Sequence, residues 1–328
     1  MQLYALHVHR IPVGVLGASG YAGQELCALI ARHPSLELAF AAANERAGDC
    51  LRVAGRSVRL ESLSEVALDR ATVIFSALPH GVSGGWCVRG RAAGARVVDL
   101  SADFRPGNPA AAADIPYGLT ELARDEVRGA GIVANPGCYP TAILLALAPL
   151  ARRGLIASGA TIAAAAASGT TGAGRSARTD LLFAEVSEDY RAYGVGNEHR
   201  HLPEMRAVLD SLGTPGDIVF TPHLLPVARG ILATITVPVT EMLDDPLAPW
   251  RDSYSGEPFI EISADPPTLR DVVRRNVVRI SATHARGTRQ PTLIVLAAID
   301  NLMKGAAGQA LQNANVMLGI PETEGLPS

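Results

Sequence analysis

The chain has 328 residues, of which 48% are hydrophobic and 19% are charged. This length predicts two domains, and this balance is typical of a globular protein and excludes intrinsic disorder over most of the chain. The 29 Lys and Arg residues and the 32 Asp and Glu residues leave a net charge of -3, so we expect a protein that binds neither nucleic acid nor an anionic membrane.

The first part of the chain alternates between predicted strands and helices. A β-branched apolar run begins at Ile11 and stops at Gly17, which is typical of a buried parallel strand, and a helical pattern follows over residues 21–32. The other predicted elements are strands at residues 36–43, 71–77, 95–100 and 131–134 and a helix at residues 82–93. This alternation predicts an α/β fold with a Rossmann-type, doubly wound dinucleotide-binding domain.

The second part of the chain is rich in predicted strands with few helices between them. After a helix at residues 141–152, strands are predicted at residues 160–167, 218–220, 231–239, 259–262, 276–283 and 292–299, and a helix at residues 305–318 closes the chain. We expect residues 241–258 to form a surface connection and residues 321–328 to form a loose end. The pattern predicts an α+β domain with a mainly antiparallel sheet.

Two features bear on the compartment of the protein. No apolar run reaches the roughly 18 residues of a membrane span, and His7, His9 and Arg10 lie where the apolar part of a secretory signal would be. The four cysteines stand far apart without a metal-ligand spacing, so neither a zinc site nor a disulfide framework is predicted. We therefore expect a cytoplasmic protein.

A glycine-rich segment, residues 17–23, lies between the first predicted strand and helix. Its backbone N–H groups and the helix N-terminus can receive a pyrophosphate. Gly17 permits the tight turn and Gly23 the close packing of helix on sheet, whereas Ser19 stands where the commonest fingerprint has glycine, so a plain glycine-rich turn is the alternative. The predicted cofactor contacts here are Gly17, Ser19, Gly20, Tyr21, Ala22 and Gly23.

The end of the second predicted strand bears on the choice of dinucleotide. Glu45 could bind the ribose hydroxyls of NAD, but Arg46 beside Asn44 suits a 2'-phosphate better, because a guanidinium binds phosphate in a bidentate manner. We therefore predict NADP, with a solvated loop cation at Arg46 as the alternative.

Cys138 and a pair of histidines are the candidates for chemistry. Cys138 precedes a predicted helix, where partial positive charge lowers the pKa of a thiol and nearby N–H groups can hold an oxyanion. His199 and His201 lie at the predicted start of another helix, and one of them is a candidate acid/base. No Cys or Asp completes a ligand set around them, so no metal is predicted.

Three irregular segments offer cations to an anionic ligand. Arg105 could bind a leaving group, although a structural salt bridge is the alternative. The glycine-rich residues 168–175 carry Arg175, and residues 222–230 carry Arg229. Each signal is weak by itself.

Together these segments closely resemble the N-acetyl-gamma-glutamyl-phosphate reductase family, NADPH-dependent enzymes of arginine biosynthesis related to aspartate semialdehyde dehydrogenase. The resemblance spans nearly the whole chain. It depends on residues 17–23, 77–81, 101–105, 117–119, 135–141, 172–175, 199–204 and 300–309.

The resemblance implies a role for each of these segments. Cys138 would be the nucleophile and His201 the acid/base, with His199 as second choice. The other implied substrate or phosphate residues are Arg105, Asn135, Arg175, His199, Glu204 and Arg229, and the other implied cofactor residues are Asn44, Arg46, Ala77, Leu78, Pro79, Ser168, Gly169, Asn301 and Lys304. The last helix would return to the cofactor, so residues 1–137 with 303–328 would form the NADP-binding domain and residues 138–302 the catalytic and oligomerisation domain.

The implied reaction is the reduction of N-acetyl-gamma-glutamyl phosphate to the semialdehyde through a Cys138 thioester, by a homodimer or homotetramer. An Ala-rich stretch at residues 109–113 and Thr170 with Thr171 depart from the family pattern. They leave open the same chemistry on an aminoadipyl or glutamyl phosphate attached to a small acidic carrier protein. An alternative of another class is an NADP-binding redox sensor without catalysis.

Overall fold

The computed structural model describes residues 10–109 and 114–328. The expectation from His7 and His9, and residues 110–113 of the Ala-rich stretch, lie outside this part of the chain. Among the described helices, none is both long and apolar enough to cross a membrane.

The first half of the described chain builds a parallel sheet. Its elements are β1 (Ile11–Leu16), α1 (Tyr21–Ile30), β2 (Leu36–Ala43), β3 (Cys50–Val53), β4 (Arg56–Arg59), β5 (Glu61–Ser62), β6 (Val73–Ser76), α2 (Ser83–Ala92), β7 (Arg96–Asp99), α3 (Thr120–Gly129) and β8 (Ile132–Ala134). Six strands pair in the order β5-β2-β1-β6-β7-β8, and every pairing is parallel. The order reverses at β1, as in a doubly wound fold, and the predicted strands are confirmed.

The second half builds a mixed sheet. Its elements are α4 (Cys138–Arg152), β9 (Thr161–Gly169), α5 (Phe183–Val186), β10 (Arg191–Ala192), α6 (Leu202–Ser211), β11 (Asp217–Leu225), β12 (Ile231–Pro238), α7 (Ala248–Ser253), β13 (Ile260–Ile262), α8 (Leu269–Val272), β14 (Val278–His284), β15 (Thr292–Ile299) and α9 (Gly308–Leu318). The strand order is β10-β11-β9-β12-β15-β14-β13. Only the pairs β11–β9 and β14–β13 are parallel, so the sheet is mainly antiparallel, as predicted.

Helix α4 carries the largest core. All of its residues from Tyr139 to Ala151 are buried against the second sheet and neighbouring helices. The helix begins at Cys138, three residues before the predicted start. Cys138 is therefore the first residue of α4, the longest of the described helices, and the rest of this helix is packed in the core.

Two segments are more ordered than their composition predicts. Residues 241–258 contain α7, whose Trp250 is fully buried and donates its indole N–H to the Ala146 carbonyl at 2.9 Å. The predicted loose end is also packed, since the Asn276 N–H donates to the Pro327 carbonyl at 2.6 Å and Leu326 contacts two core clusters. Frequent Pro and Asp residues indicate that helices and strands are interrupted, but they do not indicate whether the segment between the interruptions is buried.

Candidate active site

A cavity of about 410 Å³ lies at the carboxyl ends of β1 and β6. Its walls come from the start of α1, the loop after β6, residues 135–138, the loop at residues 171–176 and residues 301–306. This is the edge where open parallel sheets bind ligands. We call it the first cavity.

The glycine-rich loop packs too closely for side chains. Gly17 has a φ of 78°, and a Cβ on it would lie 2.4 Å from the Ala77 carbonyl oxygen. A Cβ on Gly23 would lie 2.3 Å from the Gly17 carbonyl oxygen. These contacts leave the N-terminus of α1 open toward the cavity, and its first N–H groups have no partner within the helix. The loop therefore fits a pyrophosphate group.

The loop after β6 forms the opposite wall. Ala77, Leu78 and Pro79 border the first cavity, together with Gly20, Tyr21, Ala22 and Gly23. The Ser19 carbonyl accepts a hydrogen bond from Arg175 Nη1 at 2.8 Å. The structure thus places Arg175, predicted as a substrate residue, beside the cofactor loop.

Asn44 and Arg46 follow β2 and are solvent-accessible. Arg46 Nε donates to Asp49 Oδ2 at 2.8 Å in a surface ion pair. Neither Asn44 nor Arg46 borders the first cavity. Their proximity to the end of β2 is compatible with the adenosine end of a dinucleotide, which lies away from its reactive ring.

Cys138 is the first residue of α4 and borders the first cavity. Burial raises the pKa of its thiol, while the charges of Arg200 and Arg105 and the Tyr139 N–H act in the opposite direction. The sequence predicted a lowered pKa from the helix N-terminus, and the structure corrects this because desolvation outweighs the local positive charge. A thiolate at this position needs a base beside it.

His201 lies at the N-terminus of α6 and packs against the residue before Cys138. A Cβ on Gly137 would lie 2.6 Å from His201 Nε2. Burial, followed by the charge of Arg105, holds the pKa of His201 well below its usual range. The ring is therefore neutral near pH 7 and able to accept a proton.

His199 supports this arrangement from the other side. Its Nδ1 accepts the His201 backbone N–H at 3.1 Å, and its ring meets the ring of Tyr139 edge-on, with centroids 5.4 Å apart. Burial and the charge of Arg200 lower the pKa of His199 to about 4. His199 does not border the first cavity.

A second cavity of about 390 Å³ also borders Cys138. Its walls include His199, Tyr193 and the cations Arg178, Arg191 and Arg200. Ser168 and Gly169, predicted as cofactor residues, border this second cavity instead. The residues that the two cavities share are Cys138, Gly172, Ala173, Arg200 and His201.

Arg200 is the main residue that the sequence analysis missed. It borders both cavities, and its charge acts on Cys138, His199 and His201. Its place between the two candidate histidines was the one available signal. Arg178 was indicated only as a further cation just beyond the glycine-rich residues 168–175. Arg191 and Tyr193 carried no signal, because their segment approaches Cys138 only in the folded chain.

The structure corrects the prediction for Lys304. This residue lies in a π-turn, Met303–Ala307, and is fully buried. Its Nζ donates to Glu121 Oε1 at 2.5 Å and to Gln312 Oε1 at 2.7 Å. The amine therefore holds α3 and α9 together and does not face the cofactor site.

Arg229 and Glu204 also have other partners. Arg229 forms ion pairs with Glu25 and Asp300, the latter at 3.3 Å, and borders neither cavity. Glu204 is buried and accepts the Gly137 N–H at 2.8 Å and the Tyr117 hydroxyl at 2.6 Å. Glu204 thus orients the residue before Cys138 without itself facing a ligand.

Arg105, Asn135 and Asn301 border the first cavity but are largely satisfied. The three guanidinium nitrogens of Arg105 donate to the carbonyls of Asn135 and Leu100 and, at 3.4 Å, to Glu204. The partners of the two amides are, for Asn135, Ala306 and Asn313, and for Asn301, Gly230 and Thr171. Among these bonds, those from Arg105 to Glu204 and between Asn135 and Ala306 or Asn313 link the first half of the chain to the second.

Comparison with known proteins decides the family. A family model described as "Semialdehyde dehydrogenase, NAD binding domain" matches residues 12–130, and one described as "Semialdehyde dehydrogenase, dimerisation domain" matches residues 138–301. The chain belongs to the semialdehyde dehydrogenase family. Cys138 is the first residue of the second match.

Within this family, relatives from two bacteria span nearly the whole chain. The N-acetyl-gamma-glutamyl-phosphate reductases of Citrifermentans bemidjiense and Halorhodospira halophila are 40% and 41% identical to it, and each alignment covers 96% of this chain and 98% of the relative. Among solved structures, aspartate semialdehyde dehydrogenase II of Vibrio cholerae, complexed with ASA, has a TM-score of 0.76 at 21% identity and covers 95% of this chain and 99% of its own. The Candida albicans aspartate semialdehyde dehydrogenase with NADP has a TM-score of 0.71 at 17% identity, covering 94% and 98%. These structures share the semialdehyde dehydrogenase fold.

Proposed function

We propose that this protein reduces N-acetyl-gamma-glutamyl phosphate to N-acetylglutamate 5-semialdehyde with NADPH, through a thioester on Cys138, in arginine biosynthesis. The observation that carries the proposal is the place of Cys138, which borders both the cavity at the N-terminus of α1 and the cavity that contains Arg178, Arg191 and Arg200. The names of the relatives at about 40% identity support the choice of substrate.

The first step needs a base, because burial keeps the Cys138 thiol protonated. Neutral His201 takes the thiol proton, and the sulfur attacks the acyl carbon of the substrate. The bond from that carbon to the phosphate oxygen breaks, and the phosphate leaves with the electron pair and with the proton from His201. A thioester on Cys138 remains.

The first cavity fits the cofactor, because the loop at residues 17–23 packs closely and leaves the N-terminus of α1 accessible. Side chains on Gly17 and Gly23 would prevent this packing, since their Cβ atoms would lie 2.4 and 2.3 Å from backbone carbonyl oxygens. The residues that would hold NADPH are Gly20, Tyr21, Ala22, Gly23, Ala77, Leu78 and Pro79. When bound, NADPH supplies the hydride that reduces the acyl carbon. The carbon–sulfur bond of Cys138 then breaks, the sulfur keeps the electron pair, and the thiol recovers a proton from solvent through His201.

The second cavity is the proposed place of the amino-acid part of the substrate. An N-acetylglutamyl group carries a carboxylate, and the cations Arg178, Arg191 and Arg200 border this cavity together with Asp180 and Glu198. Arg178 and Arg191 form ion pairs with Asp180 and Asp189, so a substrate carboxylate would share these guanidinium groups with them. Tyr193 and His199 provide flat walls beside the methylene chain. This arrangement brings the acyl carbon to Cys138 from the side opposite to the cofactor.

The second sheet supports a homo-oligomer. Residues alternate along β9 between buried and exposed, and its exposed Thr161, Ala163 and Ala165 leave a flat face of small side chains. Two sheets can pack face to face across such a surface. We propose a homodimer or homotetramer on this face.

We also propose a cytoplasmic location, which fits the four free cysteines.

The test is the reverse reaction, because acyl phosphates decay quickly in water. Purified protein is incubated with N-acetylglutamate 5-semialdehyde, NADP and inorganic phosphate, and the absorbance of NADPH is followed. We expect NADPH formation that requires phosphate. Turnover only with an aminoadipate semialdehyde on a carrier protein would overturn the substrate, and a cofactor fluorescence shift without turnover on either aldehyde would indicate a sensor.

A further inference from the structure

His80 has a hydrogen bond that decides where its proton lies. It follows β6, at the rim of the first cavity, and its Nδ1 accepts the Ala102 backbone N–H at 2.8 Å. A neutral imidazole has one N–H group and one acceptor nitrogen. Because Nδ1 is the acceptor, the proton of neutral His80 lies on Nε2.

This N–H group points at another donor. His80 Nε2 lies 2.6 Å from Arg200 Nη1. A guanidinium has five N–H groups and no acceptor, and it does not lose its proton in proteins. The two nitrogens are therefore both donors, and their approach is not a hydrogen bond while the bond from Ala102 is kept.

Protonation of His80 does not resolve the conflict. A second proton on the ring would break the bond from Ala102 and add a charge close to Arg200 and Arg105. Partial burial, and then the charges of these two arginines, lower the pKa of His80 to about 4. The ring stays neutral near pH 7. The Nε2–H group of His80 and the positively charged guanidinium of Arg200 therefore face each other.

When Arg200 moves away from Nε2, an anion with several acceptor oxygens can accept a hydrogen bond from each of the two donors. We propose that His80 Nε2 and Arg200 form a site for phosphate oxygens, which holds the phosphoryl group of the acyl phosphate and then the released phosphate. This inference rests on the proposed function.

Two observations favour the transferred phosphate over the cofactor pyrophosphate. Arg200 borders both cavities beside Cys138, whereas the pyrophosphate has its own place at the N-terminus of α1. Arg105, the cation predicted for this task, already donates from all three of its nitrogens to protein oxygens. The pair of His80 and Arg200 also joins the first half of the chain to the second, so a bound phosphate would link both sides of the cleft.

Two variants of His80 separate the acceptor role of its Nδ1 from the donor role of its Nε2. In His80→Asn, the shorter amide can replace the Nδ1 acceptor for Ala102 but leaves no donor at the position of Nε2. In His80→Gln, the longer amide can place a donor there. In the reverse assay, we expect KM for inorganic phosphate to rise about tenfold or more in His80→Asn, the size expected for a hydrogen bond to a charged group, and to recover in part in His80→Gln. KM for NADP and for the aldehyde stays the same.

A binding measurement makes the test independent of turnover. Inorganic phosphate should protect Cys138 of the wild-type protein from iodoacetamide, and the protecting concentration should rise about tenfold in His80→Asn. Unchanged phosphate protection and KM in His80→Asn would overturn the site. A rise in KM for NADP alone would assign the donors to the pyrophosphate and overturn the proposal in that form. Absence of phosphate-dependent turnover in the wild-type protein would instead reject the proposed function.

Discussion

The two cavities that meet at Cys138 are built in different ways. The first is bordered by glycines and backbone at the start of α1, and the second by the side chains of Arg178, Arg191, Tyr193 and His199. In the proposed function, the backbone surface binds the dinucleotide and the side-chain surface binds the substrate. The comparison shows two kinds of surface, one of backbone and one of side chains, that meet at one cysteine.

The largest effect is expected where the cavities meet. Cys138→Ala should lower kcat by at least ~10⁴-fold, since the covalent route needs the sulfur. The affinity for NADPH, measured by fluorescence titration, should stay the same because the backbone of the first cavity is untouched. Cys50→Ala, at an exposed cysteine in β3, is the matched control. A kcat within tenfold of wild type in Cys138→Ala would reject the thioester.

His201 borders both cavities and His199 only the second, so their variants should differ. In His201→Asn, we expect kcat to fall about 10²- to 10⁴-fold, because the base that accepts the Cys138 proton is lost. His199→Asn should mainly raise KM for the acyl substrate. Steady-state kinetics of both variants decide the matter, and a larger fall of kcat in His199→Asn would move the acid/base role to that residue.

Lys304 lies in the chain between Leu302 and Gly305, which border the first cavity, but its own side chain is buried in the core. Lys304→Met should lower the free energy of unfolding by about 3–5 kcal/mol, since Glu121 would remain buried without its partner. Urea unfolding measures this change. Arg128→Met, which removes an exposed ion pair with Asp125, should have little effect on stability. A folded Lys304→Met protein with wild-type stability and weakened NADPH binding would restore the sequence-based prediction.

Gly23 tests whether backbone shape alone builds the first cavity. Gly23→Ala would bring a Cβ to 2.3 Å from the Gly17 carbonyl oxygen, so α1 must move. We expect the Kd for NADPH to rise about tenfold or more, because small displacements of positioning groups are costly. Gly85→Ala in α2, where a Cβ would meet nothing within 4 Å, should bind NADPH normally. Equal affinities in the two variants would contradict the role of this packing.

The smallest effect concerns the pH dependence of the thiol. Burial raises the pKa of the Cys138 thiol above the ordinary value for cysteine, which is about 8.5. The rate of alkylation by iodoacetamide should therefore rise only above about pH 8.5, where the thiolate forms. The Cys138→Ala variant gives the background from the other cysteines. An inflection below pH 8 would show that the positive charges of Arg200 and Arg105 outweigh burial.

The local features of the molecule were predictable from the sequence. Five of the six strands of the first sheet, the turn at residues 17–23 and the helix start beside Cys138 follow from patterns within about twenty residues, whereas the two-residue strand β5 was not predicted. A close-packed turn needs glycine wherever it occurs, and a parallel strand needs a continuous apolar run. Residues Gly17, Gly23 and Cys138 therefore carry their structural meaning in their immediate neighbours.

The surroundings of individual polar groups were not predictable. Lys304 and Glu121 are 183 positions apart, and Arg229 and Glu25 are 204 apart, so no local pattern shows that they pair. The same holds for the pKa of Cys138, since a helix start predicts a lower value and only the complete packing shows that burial dominates.

By itself, the sequence determined the fold class, the cofactor loop and the cysteine at a helix start, because these depend on short-range sterics and periodicity. Only the tertiary structure decided which cations are free to meet a ligand. Arg105, Arg178, Arg191, Arg229 and Lys304 are paired with protein oxygens, whereas Arg200 meets His80 across the cleft. The physical reason is that the groups within a few ångströms of a cation decide whether it can bind a ligand. Folding brings those groups together from distant parts of the chain.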